Sequence, residues 1–243
     1  MEYPSNELAF AEAGAFTRRV AELWWSDFGE RLLGVYRMGS LAHRGFSARY
    51  SDIDVAVIAA DPLAPEELER MRELAAGASR ELAAKLSIFW ADRWFRAGRF
   101  PPLDRVDYLD HADPILERER VQPERPSLND IRDYLRGAPF ERWVAQVRHY
   151  TALPAFPSGE HKPYLRCLLY PARLLCSWNT GALASNDDAV EFLHRHPVPQ
   201  LDLDLIRRAL RCRQEARDVD HLFPERSKLN HQYSVCADII SRA

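Results

Sequence analysis

Lysine is nearly absent from this chain. Of its 33 basic residues 30 are arginine, and only Lys85, Lys162 and Lys228 are lysine. The imbalance reads as the codon preference of a GC-rich genome rather than as chemistry. An excess of either charge is also missing: 36 acids face those 33 bases, for a formal net charge of −3. That balance excludes a strongly basic nucleic-acid binder. Long apolar runs are absent. Val55 to Ala60 is the longest near the front, far short of the roughly 18 residues a membrane helix needs, so no membrane partner is expected. Cysteine is scarce. Cys167, Cys176, Cys212 and Cys236 form no C-x-x-C pair, which predicts reduced, mostly buried thiols in a cytoplasmic protein rather than a disulfide framework. Met1 to Phe10 holds two acids, no base and no apolar core, so a signal peptide is not expected. What is present is ordinary: 47% hydrophobic and 28% charged residues over 243 positions, enough for one large domain or two small ones.

The first half alternates helix and strand signals. Glu7 to Phe28 carries apolar residues at helical spacing, Leu32 to Met38 reads as a strand, and the β-branched run from Ile53 to Ala60 reads as a buried strand. Pro65 followed by Glu66 and Glu67 opens a helix reaching about Lys85. Leu86 to Ala91 and Arg105 to Leu109 read as a third and a fourth strand, with a Pro/Gly loop from Arg96 to Pro102 between them. From Ser127 onward strand signals fade. Helices are predicted from Ser127 to about Leu153, Tyr164 to Asn179, Asp187 to His194, Leu203 to Leu222 and Ser227 to Ser241. The boundary falls between Pro123 and Pro126. The expected fold class is α+β, with residues 1–124 forming a mixed sheet flanked by helices and residues 125–243 an all-α bundle.

The informative segment runs from Gly39 to Val57. A strand closes in Gly39-Ser40, and Asp52-Ile53-Asp54 opens the next strand. Residues i and i+2 of a strand share a face, so Asp52 and Asp54 project together. Two convergent carboxylates repel unless a hard cation such as Mg²⁺ joins them, and Mg²⁺ prefers one or two carboxylates with phosphate oxygens. Gly39 permits close approach of a phosphate, the Ser40 hydroxyl and N–H can bind its oxygens, and a short helix at Leu41–Arg44 would add its dipole.

Gly39-Ser40 followed by Asp52-Ile53-Asp54 resembles the hG[GS]-x-DhD signature of the nucleotidyltransferase superfamily with the polymerase-β-like fold. The segment from Pro171 to Phe192, with Thr180-Gly181 between two helices, is similar to part of the helical domain of streptomycin and spectinomycin adenylyltransferases. The resemblance implies a nucleotidyltransferase domain at 1–124, a helical acceptor-binding domain at 125–243, and ATP and acceptor in the cleft between them. It also implies a third carboxylate on a later strand. Asp107, inside Arg105-Val-Asp-Tyr-Leu109, is favoured for that place, and Asp92 after Phe89-Trp90 is the alternative.

The implied reaction is Mg²⁺-dependent transfer of a nucleoside monophosphate, AMP from ATP, to a hydroxyl of a small-molecule acceptor of the aminoglycoside class. Asp52, Asp54 and Asp107 would be catalytic and hold two Mg²⁺ ions, with Asp107 acting on the acceptor side. Gly39, Ser40, Arg44 and Lys228 would bind the nucleotide. Arg44 and Arg49 would neutralise pyrophosphate or else lie solvated at the surface. Arg173 reads either as a structural ion pair or as a cleft contact. Trp178 and Asp187, with Asp188 and Glu191, read either as helix capping or as an acidic, aromatic-flanked acceptor pocket. The histidines, including His194 and His196, show no ligand spacing and read as surface side chains. Alternatives are a protein-modifying transferase of the antitoxin type and a nonenzymatic nucleotide-binding protein. A monomer or homodimer is expected.

Overall fold

The β-branched run from Ile53 forms a central strand of the first half. The computed structural model describes residues 4–242. Leu32–Arg37 (β1) and Ile53–Ala59 (β2) are antiparallel neighbours, Leu86–Asp92 (β3) pairs parallel with β2, and Asp113–Glu117 (β4) pairs antiparallel with β1. The resulting mixed sheet has the order β3-β2-β1-β4. Along β2 the side chains alternate between two cores. Ile53, Val55 and Val57 pack with Val20, Trp24 and Met71 of Asn6–Phe28 (α1) and Pro65–Ala78 (α3). Ala56 and Ile58 pack with Tyr36, Met38, Phe100 and Tyr108 on the other face. By the same alternation Asp54 belongs to this second face. Gly39–Ala42 (α2) follows β1 directly.

Two expected elements of the first half differ. The helix expected from Pro65 to Lys85 breaks at Ser79, which is extended and caps a separate turn, Arg80–Ala83 (α4), by accepting the Leu82 N–H at 3.3 Å. More consequentially, the expected strand at Arg105–Leu109 is the middle of a helix, Pro102–His111 (α5). Pro102 stands in its first turn, where the missing N–H costs nothing. The fourth strand is instead β4, at one edge of the sheet, which carries Pro114 and two acids, a composition that edge strands tolerate and that hid it from pattern reading. Tyr108 anchors α5. It is buried edge-on against Tyr36 at 5.2 Å between centroids, and its hydroxyl donates to the Val121 carbonyl at 2.9 Å.

The chain divides into the units Met1–Arg125 and Pro126–Ala243. In the second, Leu128–Arg136 (α6) and Ala138–Ala152 (α7) replace one expected helix. Pro139, in the first turn of α7, cannot continue the preceding ladder, and Gly137 takes the bend. His161–Thr180 (α8) is the central helix, packed against α6 and α7 and against Asn186–Arg195 (α9), Leu203–Gln214 (α10) and Ser227–Ser241 (α11). It ends at left-handed Gly181, whose N–H donates to the Ser177 carbonyl at 2.8 Å. The expected helix from Leu203 to Leu222 stops at Gln214, and a 3₁₀ turn covers Asp220–Glu225. All four cysteines are free and buried. No helix of the described residues is long and apolar enough to cross a membrane.

Candidate functional site

The Gly39-Ser40 turn is built by the strand pair that carries Asp54. The Met38 N–H donates to the Asp54 carbonyl at 2.9 Å, so the end of β1 is tied to the start of β2. The backbone then reverses into α2 through Gly39 at φ 52°, a conformation that a Cβ disfavours. A Cβ on Gly39 would stand 2.5 Å from Asp54 Oδ2. The absent side chain is therefore what lets the turn and the Asp54 carboxylate lie against each other. Ser40, half-buried on α2, follows immediately, and its carbonyl accepts the Gly45 N–H at 3.0 Å. Asp52 lies in the loop one residue before β2, and Asp54 is the second residue of that strand.

Asp107 reaches the same turn from a helix rather than from a strand. Its Oδ2 accepts the Gly39 N–H at 3.0 Å, and its Oδ1 lies 2.6 Å from His43 Nε2. It is buried at 2% exposure. Asp107 is therefore not a strand residue as expected: the break in the apolar pattern there marks an inward-facing helix position. The Gly39 N–H is thus taken by Asp107, which leaves the Ser40 hydroxyl and N–H as the groups expected to bind phosphate. On β3 the residue in register with Asp54 is Ser87. Asp92 lies opposite Ala59, five residues further along β2, or roughly 16 Å at strand rise. Its Oδ1 accepts the N–H groups of Arg96 and Ala97 at 2.7 and 2.8 Å, closing the loop after β3.

The reading of the histidines as surface side chains is corrected by His43, whose side chain is 7% exposed. His43, Asp107 and His111 bring one ligand atom each to within 4.8 Å of one another. Asp107 and His111 are four apart on α5, a spacing that places two side chains on one helix face. Read as a helix, Asp-x-x-x-His would have flagged them; read as a strand, the pair falls on one face but too far apart to meet. Arg44 has φ 58° and is exposed, lining a cavity of about 700 Å³ with Leu41, Phe46 and Phe10 of α1.

The expected residues of the helical unit have assigned surroundings of their own. Trp178 is buried at 2% exposure, with the Arg132 and Arg136 guanidinium groups 5.4 and 5.3 Å from its ring centre. It is thus a core residue of that unit. Arg173 is exposed on α8. Asp187 accepts a hydrogen bond from Gln214 Nε2 at 2.6 Å, and the cap of α9 is Ser185, which accepts the Asp188 N–H at 3.0 Å. Lys228 Nζ donates to Asp202 at 2.8 Å and to Glu225 at 2.7 Å. Those bonds raise its pKa, while hydrogen bonds from Arg208 and then Lys228 pull the Glu225 carboxyl down to about 2.

Neither a protein-family profile nor a curated protein matches the sequence. Among solved structures, the chain is similar to that of spectinomycin adenyltransferase AAD(9) from Enterococcus faecialis, determined with ATP and spectinomycin. The two share a TM-score of 0.68 at 12% identity, over 91% of this chain and 98% of that one. The fold is therefore the α+β nucleotidyltransferase fold, with its mixed four-stranded sheet and many helices.

Proposed function

We propose that this protein is an adenylyltransferase that moves AMP from ATP to a hydroxyl of a small-molecule acceptor of the aminoglycoside class. The observation that carries the reading is the Gly39 turn, left-handed and with Asp54 Oδ2 2.5 Å from where a Cβ would stand. A turn kept free of a side chain against a carboxylate suits close approach by a phosphate and its cation. The fold shared with an adenyltransferase supports the same reading.

Asp52 and Asp54 are the residues that would hold Mg²⁺. Their acidic, oxygen-only donor set fits a hard cation. Bound there, Mg²⁺ supplies positive charge for the phosphate oxygens and for the departing pyrophosphate. The Ser40 hydroxyl donates to a phosphate oxygen. Asp107, by accepting the Gly39 N–H, fixes the turn before the nucleotide arrives, so its part is positioning. The test incubates the protein with Mg²⁺, labelled ATP and an aminoglycoside panel. Pyrophosphate release together with a labelled product is expected in the wild type, and its loss in a folded Asp54→Asn variant. Wild-type turnover in Asp54→Asn would refute the assignment.

A further inference from the structure

We propose that His43, Asp107 and His111 form a binding site for a first-row divalent transition metal of the Zn²⁺ class, distinct from the Asp52/Asp54 pair. Three donor atoms on two elements, α2's C-cap and α5, lie within 4.8 Å of one another. A tetrahedral ion at 2.0–2.2 Å from its ligands holds them roughly 3.3–3.6 Å apart. The 2.6 Å between His43 Nε2 and Asp107 Oδ1 needs only a small opening to admit it. The His43 and His111 rings are tilted by 48° with centroids 4.2 Å apart, so both imidazoles border one small volume.

The chemistry of the donors sets the class of ion. Two imidazoles and one carboxylate suit a borderline cation, whereas Mg²⁺ and Ca²⁺ prefer oxygen alone. The surroundings are those of a supported ligand set. The second oxygen of Asp107 is held by the Gly39 N–H at 3.0 Å, the kind of outer hydrogen bond that orients a ligating carboxylate. Burial adds to this. Asp107 and His43 have side chains only 3% and 7% exposed, while His111 is exposed and leaves the site an entry path. Such a site, with three protein ligands, keeps a fourth position for water or an oxyanion.

The experiment is equilibrium dialysis of the full chain against Zn²⁺ in the presence of excess Mg²⁺, read by metal content, with Co²⁺ absorption as a second signal. One Zn²⁺ per chain is expected, together with the visible bands of tetrahedral Co²⁺. His111→Ala, at an exposed position that spares the fold, should weaken binding by at least about 100-fold. His43→Gln should do the same. The double variant Asp52→Asn/Asp54→Asn should keep its Zn²⁺. No binding in the wild type, full binding in His111→Ala, or loss of Zn²⁺ in the Asp52/Asp54 double variant would each overturn the proposal. Zn²⁺ binding is read without ATP, so failure of nucleotide transfer leaves this result standing, and the reverse also holds.

Discussion

Replacing Gly39 with alanine tests the geometry on which the candidate site depends. The residue sits at φ 52°, where a side chain costs about 1–2 kcal/mol. The new Cβ would also lie 2.5 Å from Asp54 Oδ2, and relieving such an overpacked contact costs about 1–3 kcal/mol. A destabilisation of about 2–5 kcal/mol follows, and since the strand bearing Asp54 is pinned, the carboxylate has to move. For a unit of this size that corresponds to a fall of roughly 6–20 °C in its melting midpoint. Gly77 supplies the reference. It lies in α3 with nothing within 4 Å of a Cβ, so Gly77→Ala should stabilise by about 0.5–1 kcal/mol. Calorimetric melting of the two variants, with Mg²⁺-ATP titration alongside, separates them: Gly39→Ala loses stability and nucleotide affinity, and Gly77→Ala loses neither. If Gly39→Ala melts with the wild type and binds Mg²⁺-ATP equally well, the turn is not what shapes the site.

Three further outcomes are expected. Ser40→Ala should weaken ATP by about 0.5–3 kcal/mol, the range for one hydrogen bond from neutral to charged partners; unchanged affinity in titration calorimetry would make Ser40 a bystander. The helical unit should be acid-sensitive. Glu225, lowered to about 2, and Asp202, also lowered, contribute stability in full above the ordinary carboxyl range and lose it as pH falls toward 2. The urea midpoint should therefore drop between pH 6 and pH 3, less so in Glu225→Gln; equal drops would remove the Arg208–Glu225–Lys228 cluster as the cause. Burial pushes the Cys167 and Cys236 thiols up to about 12, so at pH 8 neither should react with Ellman's reagent until urea unfolds the chain, and rapid labelling of the native protein would contradict their burial.

Local structure was legible wherever the cause was local. The β-branched run Val55-Ala-Val-Ile58 makes β2, Pro65-Glu-Glu67 opens α3, and Gly39-Ser40 before Asp52-Ile-Asp54 marks a turn that only glycine accommodates. In each case the deciding physics, a dihedral preference, a cap or a side-chain period, acts within a few residues. Short apolar stretches with a single polar break were not legible. Val106-Asp-Tyr-Leu109 fits a strand or a helix equally well. Packing chose the helix, because Tyr108 has Tyr36, Phe95 and Phe100 around it from elsewhere in the chain.

The same division holds at the site. By itself the sequence determined that Asp54 and Gly39 would meet, since two adjoining strands of one hairpin-like pair carry them to the same end of the sheet. Only the tertiary structure decided that Asp107 would reach Gly39 across 68 residues and His43 across 64. No periodicity encodes a contact of that separation. It exists because Tyr108 holds α5 on the sheet, and the helix turn then delivers Asp107 and His111 together toward α2.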